Sequence, residues 1–446
     1  MKLKYMIFSI LIFALACSAS FKHVVVKQHF KLSQFISADT CGGCHSEIYK
    51  QWKGSMHNLS HNDPVYNSVA KYYLKGLTKK GEIDESESCV KCHTPIGVTT
   101  GFPTKTSDDL TKTADIAKNG IQCDYCHSSV RAHKMYNNGL IKKPGQGDDN
   151  PGTKYGPFKD SKSDYHKTAY SKFHTSSEIC GTCHNVRHVF YGTWLETTYQ
   201  EWKKSPYNSM IPSKRVTCQG CHMYQRPGHP ATGSTKRDPN PGTASDDSKK
   251  RPHIFTHYFV GANSALPALN KDVTKQKMAI ARLQNAAELS VSKAKLSQGI
   301  VLVTVKNTGA GHKLPTGLTD TRQMWLQILI KDAKGRVLHK SGFLDRKGNI
   351  EKNTIIYNTV FGDAAGKPIQ NISKAVKIIK DYRIEPGKSV TESIKLRSKP
   401  SKNCFISVKL LYRSAPQHLI NTAMDAKKVT LPIVEMESIK KTYDIK

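Results

Sequence analysis

The pattern Cys-x-x-Cys-His occurs five times between residues 41 and 222 of this 446-residue chain. The copies are Cys41-Gly-Gly-Cys44-His45, Cys89-Val-Lys-Cys92-His93, Cys123-Asp-Tyr-Cys126-His127, Cys180-Gly-Thr-Cys183-His184 and Cys218-Gln-Gly-Cys221-His222. Two thiols one turn apart can add to the two vinyl groups of one porphyrin, and the adjacent imidazole then reaches the iron. Tetrahedral zinc needs such pairs in twos, and a disulfide across two residues needs no histidine behind it. The pattern therefore implies five covalent haems c, with the ten cysteines as attachment points and His45, His93, His127, His184 and His222 as proximal ligands.

That content limits the fold. Residues 38 to 265 carry all five motifs, which leaves about 46 residues per macrocycle, too few for an ordinary core. The porphyrins must supply much of the apolar interior. A mostly α and irregular multihaem domain is expected there, with helices over Glu47–His57 and Thr193–Lys204 and loops over 142–164 and 226–252. A connecting helix is expected within 266–289, running from Asp272 to Glu288. After it the period becomes two: Val301, Val303 and Val305 alternate with Leu302 and Thr304, and turns fall at Lys334-Gly335 and Pro386-Gly387. Residues 290–446 thus read as a haem-free all-β domain, sandwich-like, of about seven strands.

The amino terminus reads as an export signal over residues 1–17. Lys2 and Lys4 precede a short apolar run from Tyr5 to Ala16, which is too short to span a bilayer. Ala14-Leu15-Ala16 suits ordinary cleavage. Equally, Cys17 stands where a lipoprotein carries its lipid, which would attach the chain to a membrane. Residues 18–37 form a lead segment. The expected location is periplasmic, or attached at the outer membrane or cell surface. Of twelve cysteines only Cys404 is left unassigned, and a buried free thiol is expected there. The formal charge of +33 would suit a nucleic-acid binder, but an exported haem protein meets none. About ten propionates would offset part of it, and the rest favours acidic redox partners or anionic surfaces. Other cytochromes or a quinol-linked donor are the partners expected.

A haem with two imidazoles passes electrons, whereas one with an open side binds substrate. Fourteen of the nineteen histidines lie outside the motifs. His57, His166, His253 and His257 are the leading candidates for second ligands, followed by His174 and by His312 in the loop Gly309-Ala-Gly311-His312-Lys-Leu-Pro315-Thr-Gly317. His57 and His61 would share a helical face if their helix continues. A weak repeat relates Trp52-Lys-Gly-Ser55-Met-His57 to Trp202-Lys-Lys-Ser205-Pro-Tyr207, so Tyr207 is expected where a ligand has been lost.

Tyr49-x-x-Trp52-x-x-Ser55-x-His57, Tyr155-Gly-Pro-Phe158 followed by His166, and Cys218-Gln-Gly-Cys221-His222-Met223 resemble multihaem cytochromes c of the cytochrome c-554/c-552 kind, over roughly residues 38 to 260. That group is allied to the pentahaem nitrite reductases and octahaem hydroxylamine oxidoreductases. The resemblance implies an electron carrier with a row of haems. The nitrite reductases usually carry Lys for His at the active haem, and here all five motifs end in His. A match to the tyrosine cross-linking region of the hydroxylamine oxidases is also missing. A non-enzymatic carrier is therefore the first expectation. A reductase of a small nitrogen or sulfur compound with one open haem is the second, and a component of an extracellular filament or outer-membrane conduit the third.

Overall fold

The computed structural model describes residues 29–400, 402–424 and 429–444. The export signal and Cys17 lie outside them. Up to about residue 285 the chain is a succession of short helices joined by long loops and two-stranded ribbons. The second, third and fifth motifs lie in short helices, Val90–His93, Cys123–His127 and Cys218–His222, while the first and fourth begin at the ends of Ala38–Gly42 and Glu178–Gly181. Local chemistry starts these helices. Thr217 accepts a hydrogen bond from Gly220 N at 3.2 Å, and Asp63 accepts from Val65 N and Tyr66 N, with Pro64 at the first helical position. Apolar clusters here are small. Phe35, Ile96, Ala117, Tyr125 and Leu140 form one of them.

The helix expected over Glu47–His57 runs only from Ser46 to Trp52, because Gly54 takes φ +72° and turns the chain. His57 and His61 sit beyond that break, flanking one 3-10 turn. The second expected helix spans only Thr198–Lys203, preceded by a strand over Trp194–Glu196. The connecting helix is likewise shorter than its pattern. It spans Val273–Gln284, and Glu288 belongs instead to the strand Ala287–Ser292, which pairs with Ile300–Asn307. Ala287-Glu-Leu-Ser-Val-Ser alternates with period two, and that pattern prevails once a neighbouring strand is present.

The carboxyl-terminal region holds ten strands rather than seven among the described residues. A five-stranded sheet contains Val337–Ser341, Gln323–Asp332, Cys404–Arg413 and Val434–Tyr443 in that order, with Ile356–Tyr357 also on Gln323–Asp332. A three-stranded sheet has Ile300–Asn307 between Ser389–Lys395 and Ala287–Ser292, and Thr359–Gly362 pairs with Lys377–Asp381. Val301, Val303 and Val305 are fully buried and pack in one cluster with Leu326, Ile328 and Ile330 of the larger sheet. Ile328 stands opposite Val408 and Ile330 opposite Ile406, so both strands turn the same apolar face inward. Cys404 is a fully buried free thiol in this core. Gly335 and Gly387 take φ +78° and +70° in the two expected turns.

The β region is fastened to the haem segment by polar contacts. His188 Nε2 meets Ser373 O at 2.9 Å, Thr193 Oγ1 donates to Val376 O at 2.5 Å, and Asn371 Nδ2 donates to Tyr73 O at 2.7 Å. The largest cluster centres on Glu201, whose side chain is 4% exposed. It accepts from Arg383 Nη1 at 2.5 Å, Thr316 Oγ1 at 2.7 Å and Lys313 N at 3.1 Å.

Two expectations follow. Ile328→Ala should cost about 2–5 kcal/mol, because the cavity lies between two packed sheets. Denaturant unfolding followed by near-ultraviolet circular dichroism reads that loss. Glu201→Ala leaves Arg383 paired with Asp381 alone and the Lys313 N–H without its acceptor, and should cost about 1–3 kcal/mol by the same assay. Glu201→Gln, which keeps an acceptor, should cost less.

Candidate haem centres

Four of the five motif imidazoles face a second imidazole across a gap. Ring centres are 6.3 Å apart for His45 and His166, 6.3 Å for His57 and His184, 6.4 Å for His127 and His257, and 6.5 Å for His222 and His312. Their planes differ by 17°, 29°, 28° and 18°. Two imidazoles bound to one metal from opposite sides, each through a bond of about 2 Å, put their ring centres roughly 6 Å apart. The residues therefore fit an iron held between them.

The hydrogen bonds agree with that fit. A carbonyl can only accept, so a ring nitrogen beside one carries the proton and leaves the other nitrogen free for metal. His45 Nδ1 meets Ala244 O at 2.6 Å, His127 Nδ1 meets Tyr155 O at 2.7 Å, and His93 Nδ1 meets Ser60 O at 3.1 Å. His166, His257 and His312 direct Nδ1 to the carbonyls of Lys167, Phe255 and Lys313 at 3.1, 3.0 and 2.9 Å. His184 differs: its Nδ1 lies 3.5 Å from the Glu196 carboxylate. Burial holds His57 and His257 down to a pKa of about 3 and His93 to about 4, so these rings are neutral, the form that ligates iron. At His184 burial acts the same way, but Glu196 outweighs it and lifts the ring to about 9.

The remaining candidates are placed differently. His174 lies 5.5 Å from His127, on the imidazole that already faces His257, and its Nε2 is 3.0 Å from Cys126 O. That nitrogen therefore carries the proton, while Nδ1 is buried with no hydrogen-bond partner among the described residues. His253 faces no motif histidine: it stacks on Tyr224 at 3.8 Å, and its Nδ1 accepts from Asn240 N at 2.8 Å. His61 is buried, with Nδ1 2.8 Å from Thr94 Oγ1. His93 has no imidazole across from it among the described residues. Its ring stacks on Tyr66 at 3.6 Å and 8°.

The sequence repeat extends further than its letters suggested. Gly42 and Gly181, each following the first cysteine of a motif, admit the rings of Tyr49 and Tyr199, where a Cβ would stand 2.8 and 2.5 Å from ring carbon. Trp52 Nε1 donates to Ile121 O at 2.9 Å and Trp202 Nε1 to Val216 O at 2.8 Å, each two residues before the next motif in its unit. Gln51 and Glu201 precede these tryptophans. Gln51 Oε1 accepts from His257 N at 2.8 Å, and Glu201 Oε2 from Lys313 N, next to His312. Each unit thus uses one side chain to hold the segment bearing the second imidazole of its later motif. Sequence reasoning missed this pair, although the equal spacing from Trp52 and Trp202 marks it. Tyr207 does occupy the place of His57, for Val216 N bonds Tyr207 O as Ile121 N bonds His57 O, both at 2.9 Å. It does not mark the motif lacking a partner. The Tyr207 ring lies against the Gly311 loop with its hydroxyl 3.3 Å from Thr308 O, and the unpartnered imidazole is His93.

The attachment cysteines also meet across motifs. Cys41 lies against Cys123, Cys92 against Cys183, and Cys180 against Cys218, each pair close enough to shift the other's thiol. Cys126 and Cys183 are also within electrostatic reach. The fourth motif therefore adjoins the second, third and fifth.

Residues 40–128, which include the first three motifs, match the family model described as cytochrome c554 and c-prime. No curated protein matches the chain. Among solved structures, the fold is similar to that of a penta-heme cytochrome c552 from Thermochromatium tepidum, at 17% identity and a TM-score of 0.62, covering 92% of this chain and 99% of that one. The similarity therefore includes the β region as well as the haem segment. With covalent haem c implied by the motifs and accommodated by paired imidazoles, the chain is similar to cytochrome c554 and c-prime over residues 40–128 and shares the fold of a penta-heme cytochrome c552.

Proposed function

We propose that this protein is an exported pentahaem electron carrier, with the second ligands His166 for the first motif, His257 for the third, His57 for the fourth and His312 for the fifth. The single observation that carries this reading is the set of four imidazole pairs 6.3 to 6.5 Å apart. Bound between such pairs, haem supplies one-electron chemistry at a coordinatively saturated iron. The protein's part is to fix both rings and exclude other ligands. The Nδ1 bonds to backbone carbonyls set ring orientation and tautomer, and Glu196 makes His184 the more basic ligand, which favours the oxidised state at that centre. Contacts among cysteines support a route from the first motif through the third to the fourth, with the second and fifth as branches.

The division into a haem domain over 38–265, a helical connection and a two-sheet sandwich over 290–446 belongs to the same proposal. The sandwich does more than dock, since it lends His312 to the fifth motif. No helix among the described residues is long and apolar enough to cross a membrane. A periplasmic or surface-attached location, with lipid on Cys17 as the means of attachment, rests on the amino-terminal sequence. Acidic cytochromes or a quinol-linked donor suit the positive charge.

One observation favours a second reading. His93 lacks an opposing imidazole, so the second haem would keep an open side for a small nitrogen or sulfur compound. Tyr66, stacked on His93, has a buried hydroxyl near Thr106.

Three measurements test these assignments. Intact mass of the processed protein should exceed the polypeptide by five haems after acid and denaturant. His257→Ala should turn one low-spin haem high-spin in the absorption spectrum, whereas His174→Ala should leave the spectrum unchanged; the reverse result would refute the assignment at the third motif. The reduced wild-type protein should bind about one equivalent of carbon monoxide. Saturable turnover of nitrite, hydroxylamine or tetrathionate, lost on Tyr66→Phe with the spectrum intact, would move the conclusion to an enzyme.

A further inference from the structure

We propose that the cleft beside Phe190 is the docking surface through which an acidic redox protein exchanges electrons with the second and fourth haem-binding segments. This rests on the electron-carrier reading and adds the place and the chemistry of the partner. The cleft measures about 390 Å³ and is assembled from three segments. Lys91 comes from inside the second motif, Lys134 from the loop after the third, and Arg187 and Phe190 from the loop after the fourth. None of its lining residues is a motif cysteine or histidine, so it lies outside the haem centres.

Backbone bonds fix this assembly over the place where the two motifs meet. Asn137 N and Asn138 N donate to Asn185 O and Thr182 O beside the fourth motif, at 3.1 and 2.7 Å. The Asn138 side chain donates to Lys91 O in the second motif at 2.5 Å. Both asparagines take positive φ, 49° and 57°, a conformation asparagine tolerates better than most residues. Cys92 of the second motif lies beside Cys183 of the fourth. The cleft thus borders two motifs at once, with Lys91 inside the second and Arg187 to Gly192 just after the fourth.

The surface chemistry commits the occupant. Phe190 is 66% exposed and Val189 40%, in a chain whose other aromatic rings are mostly covered. Lys91, Lys134 and Arg187 surround them, and no lining residue is acidic. The nearest carboxylates are turned inward: Glu85 accepts from Val189 N at 2.6 Å and Glu82 from the Tyr191 hydroxyl at 3.3 Å. A site for a small anion would enclose its cations among polar partners. An exposed aromatic ring with a cationic rim is instead the composition of a protein interface, and the rim selects a negative partner.

The test uses the full holoprotein and reduced flavodoxin as an acidic one-electron donor, followed by stopped flow at low and high salt. Lys134→Glu with Arg187→Glu should slow the bimolecular reaction about tenfold at low salt, with the difference fading at high salt. Phe190→Ala should slow it severalfold at both. A control with the same charge change at the exposed end of the strand Val434–Tyr443, Lys440→Glu with Lys441→Glu, should slow it little. Reduction by dithionite should be equal in all variants, which verifies intact haem loading. Equal slowing by cleft and control variants would overturn the location while leaving the carrier reading in place. Wild-type protein that accepts electrons from dithionite but not from flavodoxin would overturn both. Inhibition by millimolar sulfate at fixed ionic strength, with Phe190→Ala as fast as wild type, would assign the cleft to a small anion and overturn the docking proposal.

Discussion

An imidazole presents one nitrogen to a metal reliably only when its other nitrogen is held. In this chain the holding groups are mostly backbone carbonyls: Ala244 for His45, Tyr155 for His127, Phe255 for His257 and Lys313 for His312. Much of the irregular structure between the motifs serves to deliver these carbonyls. The loop over 226–252 carries Ala244, and the ribbon strand Thr153–Gly156 carries Tyr155. Such segments need no apolar face of their own, since their neighbours in the assembled protein are porphyrins. Covalent haem would thus supply the apolar interior of a segment whose protein-only clusters are so small.

Each facing imidazole comes from a distant part of the chain, 90 to 130 residues from its motif histidine. His57 follows the first motif yet faces His184 of the fourth, and His312 belongs to the β region yet faces His222. The repeated Tyr-x-Gln/Glu-Trp unit shows how this is managed. Trp52 fastens its helix to the approach of the third motif and Trp202 to that of the fifth, and Gln51 and Glu201 hold the segments that bear His257 and His312. Glu201 carries the larger load, because Arg383 and Thr316 from the β region converge on it as well. The β domain is thus coupled to the haem segment through a buried ion pair beside one of the imidazole-bearing loops. A buried charge that loses its partner is costly, so the pair also fixes the docking geometry of the two regions.

Much of this was legible in the residues. The motif positions, the haem-free β region, the alternation at Val301–Val305 and the turns at Gly335 and Gly387 follow from spacing and turn chemistry. The extents of helices did not. Ser46–Trp52 ends early because one glycine turns the chain, and Val273–Gln284 ends early because Ala287–Ser292 finds a strand partner. Histidine spacing could not separate His257 from His174 or His253. The difference lies in which ring nitrogen meets a carbonyl and which motif lies across the gap, and both are decided by residues far away in sequence. His93 was unremarkable as a motif member. Its missing partner becomes visible only when the other four pairs are laid out in space.

The four imidazole pairs call for four haems each held between two histidines, and for a fifth on His93 that is not. Low-temperature electron paramagnetic resonance with magnetic circular dichroism on the fully oxidised wild-type holoprotein counts these directly. The account predicts four low-spin bis-histidine centres and one high-spin centre. Five low-spin centres, or more than one high-spin centre, would contradict it.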